Sequence, residues 1–187
     1  RLVLSKLNFG NMLLEKPLTN TTSDLANFDE IKKEKIFVNH HRRYQKLHRF
    51  ICDLNLDIQK VSYQSKNLGL LCNFAHHVDF VRMLIGNKSK VTDVHCDFKN
   101  VFESKRSGYF EVDGILSIKF SNGCILEIIN KKESPLKNDR VVKIFSNSGD
   151  YQLNETNGEL TGPNNLKKNA SAFRQSELTG RYLNDIQ

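Results

Sequence analysis

A histidine in an apolar helical stretch is the first candidate for chemistry in this sequence. Residues 70–86, LLCNFAHHVDFVRMLIG, place Asn73 and His76 among aliphatic and aromatic side chains. An imidazole titrates near neutral pH, so a positioned His76 can accept or release a proton during a reaction. The alternative is a structural histidine, buried and satisfied by Asp79 three residues further along. The stretch alone leaves both interpretations open.

The apolar residues of the same stretch predict two covered faces. With a helical period, one stripe packs against a core; it consists of Phe74, Val78, Val81 and Ile85. The face that carries Asn73 and His76 also carries Phe80 and Met83. We therefore expect that face to be covered too, by another domain or by a ligand.

A lysine at the end of a short strand is the second candidate. Residues 11–15 are an apolar run typical of a buried parallel strand, and Pro17 stops it directly after Lys16. Open α/β sheets bind ligands beyond the carboxyl ends of their strands, which is where Lys16 is expected. The alternative is an ordinary polar loop lysine.

The segment after Lys16 predicts a strand, helix, strand unit. A capped helix leads to a second buried strand at residues 36–38. Parallel pairing of the two strands places Arg42 and Arg43 at the same sheet edge as Lys16. The first 45 residues therefore look like the last unit of a doubly wound sheet, although no G-x-G-x-x-G motif follows a strand.

The rest of the chain predicts an α+β domain with one large, mostly antiparallel open sheet. Helices are expected at residues 44–54 and 70–86, with a strand at 57–63 between them. From residue 90 the apolar period changes from 3.6 to 2, typical of half-buried strands. The expected core-facing residues are Val94, Cys96, Phe98, Phe110, Val112, Leu116, Ile118 and Phe120.

Turn residues predict how these strands connect. Asn122-Gly123 predicts a hairpin with a type I′ turn, and a second hairpin is expected around Gly149. Residues 161–169 are predicted to be a loop, and residues 171–186 a helix. The outer face of the sheet is apolar enough to predict a contact between subunits; its apolar residues are Ile115, Ile125 and Ile129.

The amino-acid composition limits the classes of partner that the protein can bind. The chain has 187 residues, 39% of them hydrophobic, which is enough for a core, and its net charge of +7 admits an anionic ligand. Basic residues concentrate between Lys32 and Arg49 without a nucleic-acid-binding pattern, so no nucleic-acid partner is predicted. The four cysteines form no C-x-x-C pair, which favours reduced thiols in a cytoplasmic protein and no metal site. No apolar run approaches the roughly 20 residues of a membrane span.

Several ordered motifs resemble the family of glucose-fructose oxidoreductase, inositol dehydrogenase and MocA, the Gfo/Idh/MocA oxidoreductases. MLLEKPL at residues 12–18 resembles the family's strand ending in Glu-Lys-Pro, and VNHHRRY at 38–44 its arginine-containing stretch. HHVDFVRMLIG at 76–86 resembles its H-x-x-D helix, and the strand-rich half resembles its second domain. The resemblance covers essentially the whole chain.

The resemblance implies a hydride transfer between NAD or NADP and a sugar or nucleotide sugar. It makes His76 the acid/base, and it makes Lys16 a second catalytic residue. Glu15, Lys16 and Pro17 would contact the cofactor, with a cis peptide before Pro17. Asn73 would orient the substrate, since Cys72 stands where many members have an aspartate. An anionic substrate is expected near Arg42, Arg43 or Tyr63.

The resemblance also implies a domain division. Residues 1–43 would be the C-terminal remnant of a Rossmann-like dinucleotide-binding domain, and 44–187 an α+β substrate-binding and oligomerisation domain. Most of the Rossmann domain would then lie outside this sequence, in a longer enzyme of cell-surface polysaccharide biosynthesis. Two rival hypotheses remain: a non-catalytic assembly or binding domain of the same fold, and anion or nucleic-acid binding through Lys32 to Arg49, which is based on charge alone.

Overall fold

A computed structural model describes most of the chain. The described residues are 12–15, 36–66, 68–104, 107–131, 140–172, 177, 178, 180, 181 and 184. The chain divides into two compact units, which we describe separately. The first comprises Arg1–Tyr44 and Phe173–Gln187, and the second comprises Gln45–Ala172. The domain boundaries expected from the sequence stay a prediction.

The first unit contains a pair of short parallel strands. β1 (Met12–Leu14) pairs in register with β2 (Ile36–Val38), which confirms the predicted parallel pairing. The Asn39 N–H extends the ladder by donating to the carbonyl oxygen of Leu14 at 2.8 Å. A 3₁₀ turn, His41–Tyr44, follows. Lys16, Pro17 and the helix expected between the strands lie outside the described residues.

The second unit is one eight-stranded sheet with helices, which confirms the predicted α+β class. Its elements in chain order are α1 (Lys46–Asp53), β3 (Ile58–Ser65), α2 (Leu70–Ile85), β4 (Val91–Glu103), β5 (Phe110–Phe120), β6 (Ile125–Asn130), β7 (Val141–Ser146), β8 (Gly149–Asn154), β9 (Glu159–Gly162) and β10 (Leu166–Asn169). Their order in the sheet is β10-β9-β8-β7-β3-β6-β5-β4. All neighbours are antiparallel except β3 and β6, which run parallel.

The core lies where α2 covers the middle of the sheet. The helix packs on β3, β5 and β6, and their inward side chains are buried. Fully buried members of these and the adjoining strand include Val61, Leu126, Ile128 and Ile144. None of the helices in the described ranges is long and apolar enough to cross a membrane.

The prediction for β4 was half wrong. The strand forms as expected, but Val94, Cys96 and Phe98 are exposed and not half-buried. The physical reason is position, because β4 ends the sheet beyond the strands on which α2 packs. Period-2 alternation shows which side chains share a face, not whether another element covers that face. Phe110, at the start of β5, is exposed for the same lack of cover.

Two turn predictions also need correction. The β5–β6 hairpin forms, but Gly123 alone of its three loop residues has a positive φ, 88°. The loop is therefore a type I turn followed by a left-handed residue, not type I′. Type I′ geometry occurs instead at Asn164 and Asn165, with φ of 54° and 59°. The predicted loop at residues 161–169 is thus a hairpin, β9–β10.

The predicted C-terminal helix is described only in part. Ser171 and Ala172, at its expected start, are not helical. The described positions further on are helical, and among them Leu178 is buried. The remaining positions of that predicted helix lie outside the described residues.

The buried Cys124 thiol should be less reactive than the exposed thiols of Cys72 and Cys96. Burial raises its pKa to about 11, so very little thiolate forms at neutral pH. We expect an aromatic disulfide reagent to modify exposed Cys72 and Cys96 in the folded protein, and Cys124 only after unfolding in urea. Because this folded-state pKa lies above the ordinary thiol value of 9.0, the contribution of this group to stability decreases as the pH rises above about 9. Rapid labelling of Cys124 at pH 7 would contradict this expectation.

Candidate functional site

The segment before α2 is anchored by a buried asparagine at the end of β6. Asn130 is 1% exposed, and both ends of its amide are used. Its Oδ1 accepts a hydrogen bond from the Leu68 N–H at 2.8 Å, and its Nδ2 donates to the Val112 carbonyl oxygen at 2.7 Å. One side chain therefore joins the entry to α2 with two strands of the sheet.

A glutamate from β5 caps the N-terminus of α2. The Glu111 carboxylate accepts from the N–H groups of Leu71 and Cys72, at 2.9 and 3.0 Å. These amides belong to the first turn, where no intrahelical acceptor is available and where the helix dipole favours a negative charge. Sequence alternation placed Glu111 on the solvent side of β5, and the structure corrects this, since Glu111 is 5% exposed.

Removing this cap should destabilise the protein. We expect Glu111→Ala to lower the free energy of unfolding by about 2 kcal/mol, because two amides of the first helical turn lose a charged acceptor. Glu111→Gln should cost less, since its amide oxygen can still accept. Urea unfolding followed by circular dichroism measures both, with exposed Asp150→Ala as the matched acidic control. Equal stability of Glu111→Ala and the parent would show that the cap contributes nothing.

Asn73 lies in the first turns of α2, against the anchored segment. Its Nδ2 donates to the Leu68 carbonyl oxygen at 2.9 Å. Two observations favour glycine at position 69. A β-carbon added there would lie 2.7 Å from that Nδ2, and the backbone has a positive φ of 68°. The side chain of Asn73 is partly exposed. Its contact with a substrate stays a prediction.

His76 is buried in α2, 5% exposed, and its neighbour His77 is fully buried. The His77 ring lies on the ring of Tyr63 from β3, with centroids 4.0 Å apart and planes inclined by 54°. Tyr63, expected near a substrate, is itself fully buried in this packing, and its substrate contact stays a prediction. The sequence argument singled out His76 and missed that His77 faces the sheet.

The predicted packing stripe of α2 was partly wrong. Val81 is fully buried, but Phe74 is 45% exposed, and Val78 and Ile85 are only partly buried. The covered face lies between the two predicted ones; its members are Leu70, His76, His77, Phe80 and Val81. A helix with apolar residues on most sides gives a weak directional signal, so the strands beneath it decide which face is covered.

The carboxyl ends of β1 and β2 form a separate polar edge in the first unit. Asn39, buried, donates through Nδ2 to the carboxylate of exposed Glu15. Arg42 is buried and Arg43 is partly exposed in the 3₁₀ turn. The parallel strands therefore bring Glu15 to the same edge as Asn39, while Lys16, the residue predicted at this edge, lies outside the described residues. Contacts of these residues with a cofactor or substrate stay predictions.

A third buried histidine, His48, was not anticipated. His48 of α1 lies 2.9 Å from a carboxylate oxygen of Glu155, which follows β8, and meets the ring of Phe80 edge-on with centroids 4.6 Å apart. Both members of the pair are largely buried. The contact ties α1 to α2 and to the sheet. No local sequence signal pairs residues 48 and 155.

Comparison with solved structures identifies the architecture. A UDP-N-acetylglucosamine 3-dehydrogenase from Acidithiobacillus ferrooxidans matches with a TM-score of 0.70 at 13% identity, over 94% of this chain and 60% of its own. A D-galactose-1-dehydrogenase from Rhizobium etli matches with a TM-score of 0.65 at 14% identity, over 92% of this chain and 60% of its own. This chain has the fold of the Gfo/Idh/MocA oxidoreductases.

The Gfo/Idh/MocA fold extends to a third kind of oxidoreductase. A biliverdin reductase from Synechocystis sp. PCC 6803, solved with biliverdin and NADP+, matches with a TM-score of 0.67 at 15% identity, over 91% of this chain and 60% of its own. The present chain thus spans 60% of the length of these three proteins. The shared part includes the large sheet, which confirms the predicted fold class. No protein-family model and no curated protein matches the sequence.

Proposed function

We propose that this chain belongs to an NAD(P)-dependent oxidoreductase that transfers hydride between the cofactor and a sugar or nucleotide sugar. The observation that carries the proposal is the placement of His76 on a helix whose N-terminus is held by Glu111 and Asn130. Such anchoring favours a fixed orientation of the imidazole, which acid/base chemistry requires. The shared fold of sugar and nucleotide-sugar dehydrogenases supports the substrate class.

In this proposal the side chains divide the work of alcohol oxidation. His76 accepts the proton of the substrate hydroxyl, and in the reverse direction it returns a proton to the carbonyl oxygen. The Lys16 ammonium stabilises the negative charge that develops on that oxygen. Asn73 orients a neighbouring hydroxyl, and Arg42 or Arg43 binds an anionic part of the substrate, such as a diphosphate.

The cofactor assignment rests on the polar edge of the first unit. NAD or NADP, when bound, accepts or supplies the hydride. Glu15, Lys16 and Pro17 would lie along its nicotinamide end, because open sheets bind dinucleotides beyond the carboxyl ends of parallel strands. The hydrogen bond from Asn39 fits this role, since it fixes the direction of the Glu15 carboxylate at that edge.

A substrate panel tests the proposal. The protein encoded by the complete reading frame is incubated with NAD+ or NADP+ and, separately, UDP-N-acetylglucosamine, UDP-glucose and galactose, and NAD(P)H absorbance is followed. We expect turnover with at least one nucleotide sugar. Absence of turnover and of calorimetric binding for the whole panel would contradict the proposal. A role in polysaccharide synthesis in the cytoplasm would follow from a nucleotide-sugar substrate.

The alternative is an oligomerisation domain without catalysis. It is favoured by Ile125, which is 36% exposed on the outer face of the sheet, with Ile115 and Ile129 partly buried beside it. A subunit contact through this face would be compatible with either function. Substrate binding measured by calorimetry separates the two, because only the enzyme requires it.

A further inference from the structure

β4 is a long, uncovered edge strand. It spans 13 residues at one end of the sheet in the described part of the chain, and every residue except Phe102 is exposed. One side of β4 pairs with β5, and no strand of the described residues lies next to its other side. Such an edge is able to pair with a further strand.

An apolar row runs along this edge. Val94 lies opposite Ile118, and Val101 opposite Val112, so the row continues the core-facing side of β5. Val94 is 53% and Val101 70% exposed. Soluble proteins shield long apolar edges, and β4 carries both charged residues and apolar ones, so the arrangement of its charges determines which partner fits.

The charges of β4 are complementary to those of a second, antiparallel copy of itself. Two-fold pairing places one residue opposite its own copy, and side chains at equal distances on either side face each other. When the strand pair is centred on Cys96, His95 of one copy faces Asp97 of the other. In the same register Asp93 faces Lys99, and Val94 faces Phe98. Each aspartate of this run therefore faces a basic side chain of the other copy.

Neighbouring registers lack this property. Centred on His95, the pairing sets Asp93 against Asp97, and centred on Asp97 it sets His95 against Lys99. Like charges placed directly opposite each other destabilise a strand pair. Irregularities in the β4–β5 register occur between Val91 and Asp93 and between Phe98 and Asn100, so the regular run is 93–98 around Cys96, and Lys99 lies at the irregularity that ends it.

We propose that two copies of this chain pair through β4, antiparallel and centred on Cys96, to form one continuous sheet across a two-fold axis. The occupant of the edge is thus a second copy, and the recognition is by backbone hydrogen bonds with the charge pairs fixing the register. This contact is distinct from the outer-face contact through Ile125, and it does not depend on the proposed enzymatic function.

Cysteine cross-linking tests the register directly. Residues opposite each other in an antiparallel pair have Cα atoms about 4.5 to 5.5 Å apart, within the roughly 4.4 to 6.8 Å range of disulfides. With the oxidant diamide, the two Cys96 thiols lose two protons and two electrons to the diazo bond and form one S–S bond. We expect a covalent dimer that Cys96→Ser abolishes and Cys72→Ser, at another exposed cysteine, leaves intact. A dimer that persists in Cys96→Ser, or no dimer, would overturn the register.

Charge-reversal substitutions test the pairing of β4 without covalent cross-linking. We expect Asp93→Lys to raise the dimer Kd at least about tenfold in sedimentation velocity, because Lys99 of the other copy would then face a like charge. Asp93→Lys with Lys99→Asp should restore the dimer, and exposed Asp150→Lys should not change it. Circular dichroism checks that each variant is folded. If Ile125→Lys abolished the dimer and Asp93→Lys left it intact, the subunit contact would lie on the outer face of the sheet, and the proposal would be overturned.

Discussion

The His76→Asn variant should lose about 10²- to 10⁴-fold in kcat, the usual contribution of a positioned general acid or base. Asparagine keeps a polar amide of similar reach but does not exchange a proton near neutral pH. KM should change much less, because substrate positioning is assigned to Asn73 and the arginines. The measurement is steady-state NAD(P)H formation by the full-length protein with the substrate identified in the panel.

The controls separate catalysis from structure, because His76 is buried. His95→Asn replaces an exposed histidine of β4 and should retain full activity. The pH profile of kcat should lose its histidine limb in His76→Asn, an effect that loss of packing alone does not produce. A folded variant that keeps the parental activity would show that His76 is not the acid/base.

Asn130→Ala should be the most destabilising single substitution among the anchors of α2. It leaves the Leu68 N–H and the Val112 carbonyl, both bonded to the Asn130 amide, without those partners in a buried setting. Each such loss costs about 1 to 3 kcal/mol, so we expect about 2 to 6 kcal/mol in urea unfolding. Asn100→Ala, at an exposed asparagine of β4, is the matched control and should change stability little. A cost of Asn130→Ala equal to that of the control would show that water replaces both bonds.

Much of the fold could be predicted because its signals are local. A 3.6-residue period bounded by Gly86 defined the end of α2, and alternation defined β5 almost to the residue. The parallel pairing of β1 with β2 followed from a short apolar run on either side of a helix-length segment. In these cases neighbouring residues carry the information.

The errors in burial have a different cause, since each depends on a partner distant in sequence. Exposure of Val94 reflects the absence of a covering helix over β4, and Glu111 is buried because the amides of α2 lie above it. The turn at Asn122 was assigned from a dipeptide that suits more than one hairpin geometry. The Asn130 anchor has no sequence signature, because its two partners lie in segments on either side of β4.

The order of the strands has a consequence for folding kinetics. The meanders β4 to β6 and β7 to β10 assemble from segments adjacent in the chain, and such hairpins close quickly. β3 alone joins them, and its Val61 pairs with Leu126 on one side and Ile144 on the other. During synthesis β3 therefore emerges first but completes its ladders last. Pairing β3 with β6 and with β7 closes two long loops of chain, and we expect this step to limit the rate at which the eight-stranded sheet forms.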